Sequence, residues 1–461
     1  MITSWVASYV ATTAGFLFAA LLITQIIRQR RPPTATIAWL LAIVLVPYVG
    51  VPLYLLLGGR KIRSLAARKE RIKLPAVESP ASLTSIERLL LSHDVPPATH
   101  GNRLQLHVSG EDSYAALVNL IESAASSIYI GIFILHPDAV GQDIIARLAR
   151  RAREGLRVRL LLDGVGSLHT RRHWLAPLAE AGGRFAFFMP VFHRPLRGRS
   201  NLRNHRKTVI ADERRVLAGG ANIATEYLGP EARAGRWADL TFTLEGPATS
   251  HFVDLFRCDW GFTSGEWIET GGSAGIVCGG AQGGGSIQVV PSGPDVPGDP
   301  LYDTLLSLAF SARSRLWIVT PYFIPDDALC RALILAVHRG VDVRILVPQR
   351  SNHRIADIAG RSFLREIADE GGTVLFYMPG MLHAKAVLMD DDIAILGSAN
   401  IDLRSLFLNY EVGVLVYSAS EIQAIDGWIG GLLLDALPGI SRAGLIRQVE
   451  EGMARLLAPQ L

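Results

Sequence analysis

The sequence predicts an α/β fold made of two similar halves that form one active site, preceded by an N-terminal helical membrane hairpin. Three observations carry this expectation. Apolar strand-like runs alternate with helical stretches in the same order in two parts of the chain. Two long uncharged apolar stretches stand at the N-terminus. A short unit recurs once in each part, with a histidine two residues before a lysine and an aspartate five after it: His205-Arg206-Lys207…Asp212 and His383-Ala384-Lys385…Asp390.

Composition sets the frame for these elements. With 461 residues the chain is long enough for two or three domain-sized units. Its apolar fraction of 49% and positive mean hydropathy are high for a soluble protein and point to membrane segments. A net charge of +4 gives no argument for nucleic acid. Cys258, Cys278 and Cys330 are odd in number and widely spaced, so they read as small hydrophobes, not as a disulfide framework or a zinc site.

Residues 1–60 contain the two membrane segments, at about 4–27 and 34–57. Each is a run of apolar residues without a charge, long enough to span a bilayer as a helix. The second holds Pro47, Gly50 and Pro52, which favour a kink or partial insertion. Residues 61–108 form a basic connector. The larger basic cluster, Arg60, Lys61, Arg63, Arg68, Lys69, Arg71 and Lys73, places the bulk of the chain on the cytoplasmic side. The same residues would lie against anionic headgroups.

The first half covers residues 109–264 and the second 287–461, separated by a glycine-rich linker at 265–286. In the first half an apolar strand at 127–133 precedes an aspartate, a helical stretch from Asp143 to Arg153, and a strand at 157–162. The second half repeats this with a strand at 316–322, Asp326, a helix to His338, and a strand at 343–347. A Gly-Gly turn and an aromatic strand ending in Met-Pro follow in both, at 182–190 and 371–379. The motif regions come next, at 199–226 and 377–404.

Arginine is the default cation of this chain, since 5 of its 46 basic residues are lysines. Past residue 73 only Lys207 and Lys385 occur, one in each motif. Lysine is a compact point charge with three donors, suited to meeting a phosphate oxygen. In a strand, residues two apart share a face, so His205 points with Lys207 and His383 with Lys385. Past each aspartate comes a tight turn of small residues, Gly219-Gly220-Ala221-Asn222 and Gly397-Ser398-Ala399-Asn400. A backbone this bare admits an anion closely, with Asn222 and Asn400 as donors and Gly220 and Ser398 shaping the turn. Asp239 and Glu411 lie on apolar strands, where each can orient a histidine. Two such half-sites suit phosphodiester transfer. One imidazole attacks phosphorus, the other serves as acid and base, and the lysines hold the non-bridging oxygens. There is no metal-ligand spacing and no cofactor motif.

The pattern H-x-K-x4-D-x6-G-S-x-N, which the second copy fits completely, resembles the phospholipase D superfamily. Thr36-Ile37-Ala38-Trp39, Pro47-Tyr48-Val49-Gly50, Pro291-Ser292-Gly293-Pro294-Asp295, Thr320-Pro321-Tyr322-Phe323 and Asn409-Tyr410-Glu411 look like bacterial cardiolipin synthases. The resemblance implies phospholipase D-like α-β-α halves with His205, Lys207, Asp212, His383, Lys385 and Asp390 as the catalytic set. It implies phosphatidyl transfer from one phosphatidylglycerol to another, giving cardiolipin and glycerol. By the same resemblance His205 is the nucleophile and His383 the acid/base. The expected partners are phosphatidylglycerol and other anionic lipids of a bacterial inner membrane, with the chain multi-pass and its catalytic halves cytoplasmic. Two positions depart from the superfamily: Gly220 replaces a serine, and Thr225 stands where relatives commonly have an aspartate.

Between Phe192 and Asn204 the first half carries an arginine-rich insertion that the second lacks. It is either a grip for a second anionic headgroup or a solvated loop. Other readings are a membrane-anchored hydrolase of the same superfamily or another phosphatidyltransferase and, from a different class, a catalytically inactive membrane scaffold. Two intact motifs argue against the scaffold.

Overall fold

The computed structural model describes residues 13, 15, 18–27, 33–57, 83–190, 202–269, 284–441 and 443–456. The chain divides into an N-terminal unit, Met1–Ile62 with Phe192–Asn201, and a second unit holding the rest. Half of the first expected membrane segment, the basic cluster after residue 58, the core of the glycine-rich linker and the arginine insertion up to Asn201 lie outside the described residues.

In the N-terminal unit residues 18–27 are helical. The stretch expected to form a second span is instead two helices, Pro33–Leu45 and Pro47–Leu57. The break falls at Val46 because a residue before proline is pushed out of the α region and Pro47 has no N–H to continue the ladder. The two helices then fold against each other. A side chain on Gly50 would come within 2.1 Å of the Ala42 carbonyl oxygen, and Trp39 meets Tyr54 edge-on at 5.4 Å. Leu22, Ile26, Ile43 and Tyr54 form a small core. At about 1.5 Å per residue neither short helix reaches the roughly 30 Å of a bilayer core. Among the described residues no helix is long and apolar enough to cross a membrane.

The second unit is organised on one long sheet. Its first seven strands are β1 (Thr99–His107), β2 (Ser127–Ile132), β3 (Arg157–Asp163), β4 (Arg184–Phe188), β5 (Thr208–Ala211), β6 (Arg215–Gly219) and β7 (Thr241–Glu245). The second series is β8 (Gly285–Ser292), β9 (Arg315–Val319), β10 (Phe323–Ile324), β11 (Asp342–Pro348), β12 (Thr373–Tyr377), β13 (Ala386–Met389), β14 (Ile393–Gly397), β15 (Ile401–Asp402), β16 (Glu411–Val416) and β17 (Ala436–Pro438). Spatially the first series runs β1-β7-β6-β5-β2-β3-β4 and the second β8-β16-β14-β13-β9-β11-β12, with β17 added at the edge. The duplication read from sequence is therefore a duplication of topology. The two runs join where β1 pairs antiparallel with β8.

Each half has a parallel part, β2-β3-β4 or β9-β11-β12, whose crossover helices lie on the sheet. Side-chain caps start those helices. Asp138 accepts from Gly141 N at the start of Ala139–Arg153, four residues earlier than the sequence pattern suggests, and Asp326 accepts from Leu329 N at the start of Asp327–His338. The antiparallel part, β5-β6-β7 or β13-β14-β16, follows the motif and carries the site. β2 and β16 are buried along their whole length, as expected for strands covered on both faces.

Candidate active site

The motif histidines and lysines sit just before β5 and β13, in extended segments rather than within the strands. Those segments find their backbone partners in the opposite half. His205 N donates to Tyr410 O at 2.9 Å, and Tyr410 N donates to Arg203 O at 2.9 Å. On the other side His383 N donates to Ala238 O at 2.7 Å, and Ala238 N to Met381 O at 2.8 Å. Each histidine of one half is thus zipped to the carboxylate-bearing segment of the other.

The side chains cross in the same way. His205 Nδ1 lies 2.9 Å from Glu411 Oε1 and 3.1 Å from Oε2, while His383 Nδ1 lies 2.6 Å from Asp239 Oδ2. A carboxylate at Nδ1 fixes the tautomer with the proton on Nδ1, leaving Nε2 as the basic nitrogen. Sequence spacing does not say which carboxylate serves which histidine. The backbone zippers decide it.

The two carboxylates are held differently. Ser398 Oγ donates to Glu411 Oε2 at 2.6 Å and accepts from Val412 N at 3.0 Å. The equivalent position in the first half is Gly220, and a side chain there would come within 2.1 Å of Asp239 Oδ1. The serine-to-glycine departure therefore makes room for the shorter carboxylate. Asp239 Oδ1 takes the N–H of Leu240 at 2.8 Å instead.

Lys207 Nζ donates to His205 O at 2.7 Å and stands 5.3 Å from the centre of the Phe133 ring, which meets His205 edge-on at 4.8 Å. Lys385 Nζ donates to His383 O and lies 2.9 and 3.1 Å from the two ring nitrogens of His383. Tyr227 and Trp237 hold the His383 ring at 5.1 and 5.5 Å. Sequence reasoning passed over these three aromatic residues. For Trp237 the signal was its position two residues before Asp239.

Burial sets the electrostatics. It lowers the pKa of His205 against the opposing pull of Glu411, and lowers that of His383 with help from Lys385 and against Asp239. Burial also brings Lys207 down to about 7 and Lys385 to about 8. It works to raise Asp239 and Glu411, but their histidines, followed by lysines, outweigh it and keep both carboxylates below their ordinary values. The site therefore holds two neutral imidazoles and two lysines whose charge is easily lost. A bound anion would restore that charge.

The motif aspartates do not reach this site. Asp212 accepts from Ala125 N, Ser126 N, Ser127 N and Ser126 Oγ, tying its turn to the start of β2. Asp390 does the same for β9 through Arg313 N, Ser314 N, Ser314 Oγ and Arg315 N. Both turns place the aspartate at positive φ, 55° and 50°. Expected among the catalytic set, they are structural clamps at the opposite end of the motif strand. Burial works to raise Asp390, but those donors together hold it at about 2. The two asparagines are also partly committed. Asn222 Oδ1 accepts from Ile134 N at 3.0 Å, and Asn400 Nδ2 donates to Asp402 Oδ2 at 3.0 Å.

A family model described as "Cardiolipin synthase, PLD-like domain" matches residues 117–258 and 305–432, and one described as "Phospholipase_D-nuclease N-terminal" matches residues 17–59. Cardiolipin synthase 1 of Bacillus cereus is 32% identical over 453 residues, covering 92% of this chain and 88% of that protein. The major cardiolipin synthase ClsA of Bacillus subtilis is 31% identical over 465 residues, covering 96% of each. Among solved structures, a phosphatidylserine synthase of Haemophilus influenzae superposes with a TM-score of 0.60 at 17% identity, over 82% of this chain and 99% of that one. That last likeness concerns the fold alone.

Proposed function

The chain belongs to the cardiolipin synthase family of phospholipase D-like proteins, and from that premise we propose how its residues carry the reaction. It is a phosphatidyltransferase that makes cardiolipin. The observation that carries the mechanism is the crossed pair of histidine–carboxylate contacts, which supplies two oriented imidazoles in one buried site.

His205 Nε2 attacks the phosphorus of one phosphatidylglycerol. The bond from phosphorus to the glycerol headgroup oxygen breaks, and His383, protonated once the anion is bound, gives that oxygen its proton. Glycerol leaves and a phosphatidyl group remains on His205, whose new positive charge faces Glu411. The hydroxyl of a second phosphatidylglycerol then loses its proton to His383 and attacks phosphorus, and the bond to His205 breaks to give cardiolipin. Asp239 stabilises the charged form of His383. Lys207 and Lys385 hold the non-bridging oxygens as negative charge builds there. Every step runs backwards with the same groups, so transfer is reversible.

Full-length protein in detergent with phosphatidylglycerol alone should release glycerol and form cardiolipin without added metal. Phosphatidic acid as the sole product would replace the synthase reading with a hydrolase. His205→Ala should abolish trapping of a labelled phosphatidyl-enzyme. The reverse order, with His383 as nucleophile, draws on one observation: burial and Lys385 together press its pKa down to about 3, which keeps its imidazole neutral and available for attack. Trapping that survives His205→Ala and disappears in His383→Ala would establish that order.

For location, we read the N-terminal unit as the anchor in a bacterial cell membrane, with the catalytic unit on the cytoplasmic side. The short paired helices Pro33–Leu45 and Pro47–Leu57 support a hairpin that dips into the bilayer more readily than a second full span. Thiol labelling of cysteines placed at Thr36 and Leu57 tests this. A hairpin exposes both on one membrane face, and a span exposes them on opposite faces.

A further inference from the structure

Helix Leu445–Leu456 packs one side on helix Arg354–Asp369, where Glu451 pairs with Arg365 and Arg455 stands 4.0 Å over the Phe363 ring. Its other side is where water-facing polar residues would be expected. That side instead presents Leu445, Ile446, Val449 and Met453, 77%, 78%, 56% and 65% exposed. At about 100° per residue these four fall within an arc of about 100° on one side of the helix. Large apolar side chains in an unbroken exposed stripe mark a surface that something covers.

What flanks the stripe identifies the cover. A groove at the start of the helix is lined by Arg350, Arg354, Arg361 and Arg447, together with Asp357, Glu450 and Glu451. Of the acids, Glu451 is already engaged by Arg365 and Arg447, and Asp357 accepts from Ser351 N. Among the described residues Arg350, Arg354 and Arg361 have no carboxylate within ion-pair distance. Burial, and after it the charge of Arg447, disfavour the Arg361 cation, a strain that an anion in the groove relieves. A second copy of the chain seated here through the same face would bring arginine against arginine.

The groove also lies on the edge of the sheet that carries the site. β9 and β11 run parallel, so the C-terminal ends of both point the same way. Ala386, next to Lys385, pairs with Val319 at the end of β9, and Arg350 follows the end of β11. β12 ends on that edge as well, where Met378 N donates to Asp435 O and the neighbouring Leu434 is 88% exposed.

We propose that the outer face of helix Leu445–Leu456 and the arginine groove at its start dock onto an anionic bilayer, with a lipid phosphate in the groove, so that the site's edge faces the membrane. The proposal rests on the lipid-substrate reading only for the choice of a bilayer as partner, and its test does not depend on turnover. Full-length protein is reconstituted in phosphatidylglycerol or phosphatidylcholine vesicles containing nitroxide-labelled lipid. Cys258, Cys278 and Cys330 are replaced by alanine, and a fluorophore is attached at Val449→Cys or, as a control on the opposite edge, at Asp391→Cys.

Quenching at position 449 in phosphatidylglycerol, weaker in phosphatidylcholine and absent at 391, is the expected result. Arg350→Gln with Arg354→Gln should reduce the phosphatidylglycerol signal. Leu445→Asp with Val449→Asp, both exposed and so compatible with folding, should raise KM for vesicle substrate about tenfold or more. The same pair should leave turnover of dispersed short-chain phosphatidylglycerol unchanged. No quenching at 449, equal quenching in both lipids, or a dimer that the aspartate pair dissolves would overturn the proposal. Quenching that persists in a protein making no cardiolipin would instead sink the reaction while leaving the surface standing.

Discussion

Glu411→Gln and Asp239→Asn should separate the two chemical roles. Each substitution keeps the shape of a buried side chain and removes its charge, so the partner imidazole loses the group that stabilises its cationic form. Glu411 is fully buried and its carboxylate lies 2.9 Å from His205 Nδ1. With an effective dielectric of about 20, unit charges about 4 Å apart interact by about 4 kcal/mol. That is about a thousandfold in rate if the cation forms on the reaction path. Both variants should therefore lose about a thousandfold in kcat on phosphatidylglycerol. The assay that distinguishes them replaces glycerol by p-nitrophenol, which leaves without a proton. Asp239→Asn acts through the acid, so its burst of p-nitrophenol should be restored to near normal. Glu411→Gln acts through the nucleophile, so its burst should stay suppressed. A burst restored only in Glu411→Gln would reverse the assignment. Equal suppression in both would refute the division of labour.

The remaining predictions concern the clamp, the motif aspartates and Gly220. Because burial brings Lys207 to about 7 and Lys385 to about 8, kcat/KM for phosphatidylglycerol should fall as pH rises through that window, while kcat, read with the anion bound, should hold to higher pH. Lys207→Arg and Lys385→Arg keep the charge and lose the geometry, and each should lower kcat about a hundredfold. Near-normal turnover in both would remove the clamp. Asp390→Asn should lower stability by about 2 kcal/mol, measured by denaturant unfolding, with activity per folded molecule retained. The Asp390 carboxyl is depressed in the fold to about 2, so its contribution is present above its ordinary pKa of about 3.9 and is lost as pH falls from there towards 2. Gly220→Ser, though it copies the second half, should push Asp239 off His383 and cost about a hundredfold in kcat with little change in KM.

Much of this was legible in the residues. Strand and helix alternation repeated twice located the parallel strands of each half, β2-β3-β4 and β9-β11-β12, because covered strands need continuous apolar runs and their crossovers need helical periodicity. The motif histidines and lysines were legible because lysine is rare in this chain. That Asp212 and Asp390 sit apart from the histidines has a physical origin. Recurrence marks what both halves need, and both need a carboxylate to gather the backbone N–H groups of the neighbouring strand's start as much as they need a nucleophile. Sequence periodicity cannot tell a repeated clamp from a repeated catalyst. The second apolar stretch was read as a candidate span because hydropathy counts residues. It does not register that Pro47 and Gly50 permit the chain to fold back on itself.

The crossing of carboxylates also explains why the duplication yields one site and not two. His205 depends on the second half for its backbone acceptor, Tyr410 O, and for its orienting group, Glu411; His383 depends on the first half for Ala238 O and Asp239. An isolated half would hold a histidine with no fixed tautomer, a buried carboxylate with no cation, and an unpaired backbone N–H. The halves are therefore bound to each other by the groups proposed to do the chemistry. Divergence between them is tolerated only where the pair adjusts together, as with Gly220 beside Asp239 and Ser398 beside Glu411. The local near-symmetry of the motifs thus coexists with two chemically unequal histidines, which is what a reaction with one nucleophile and one acid requires.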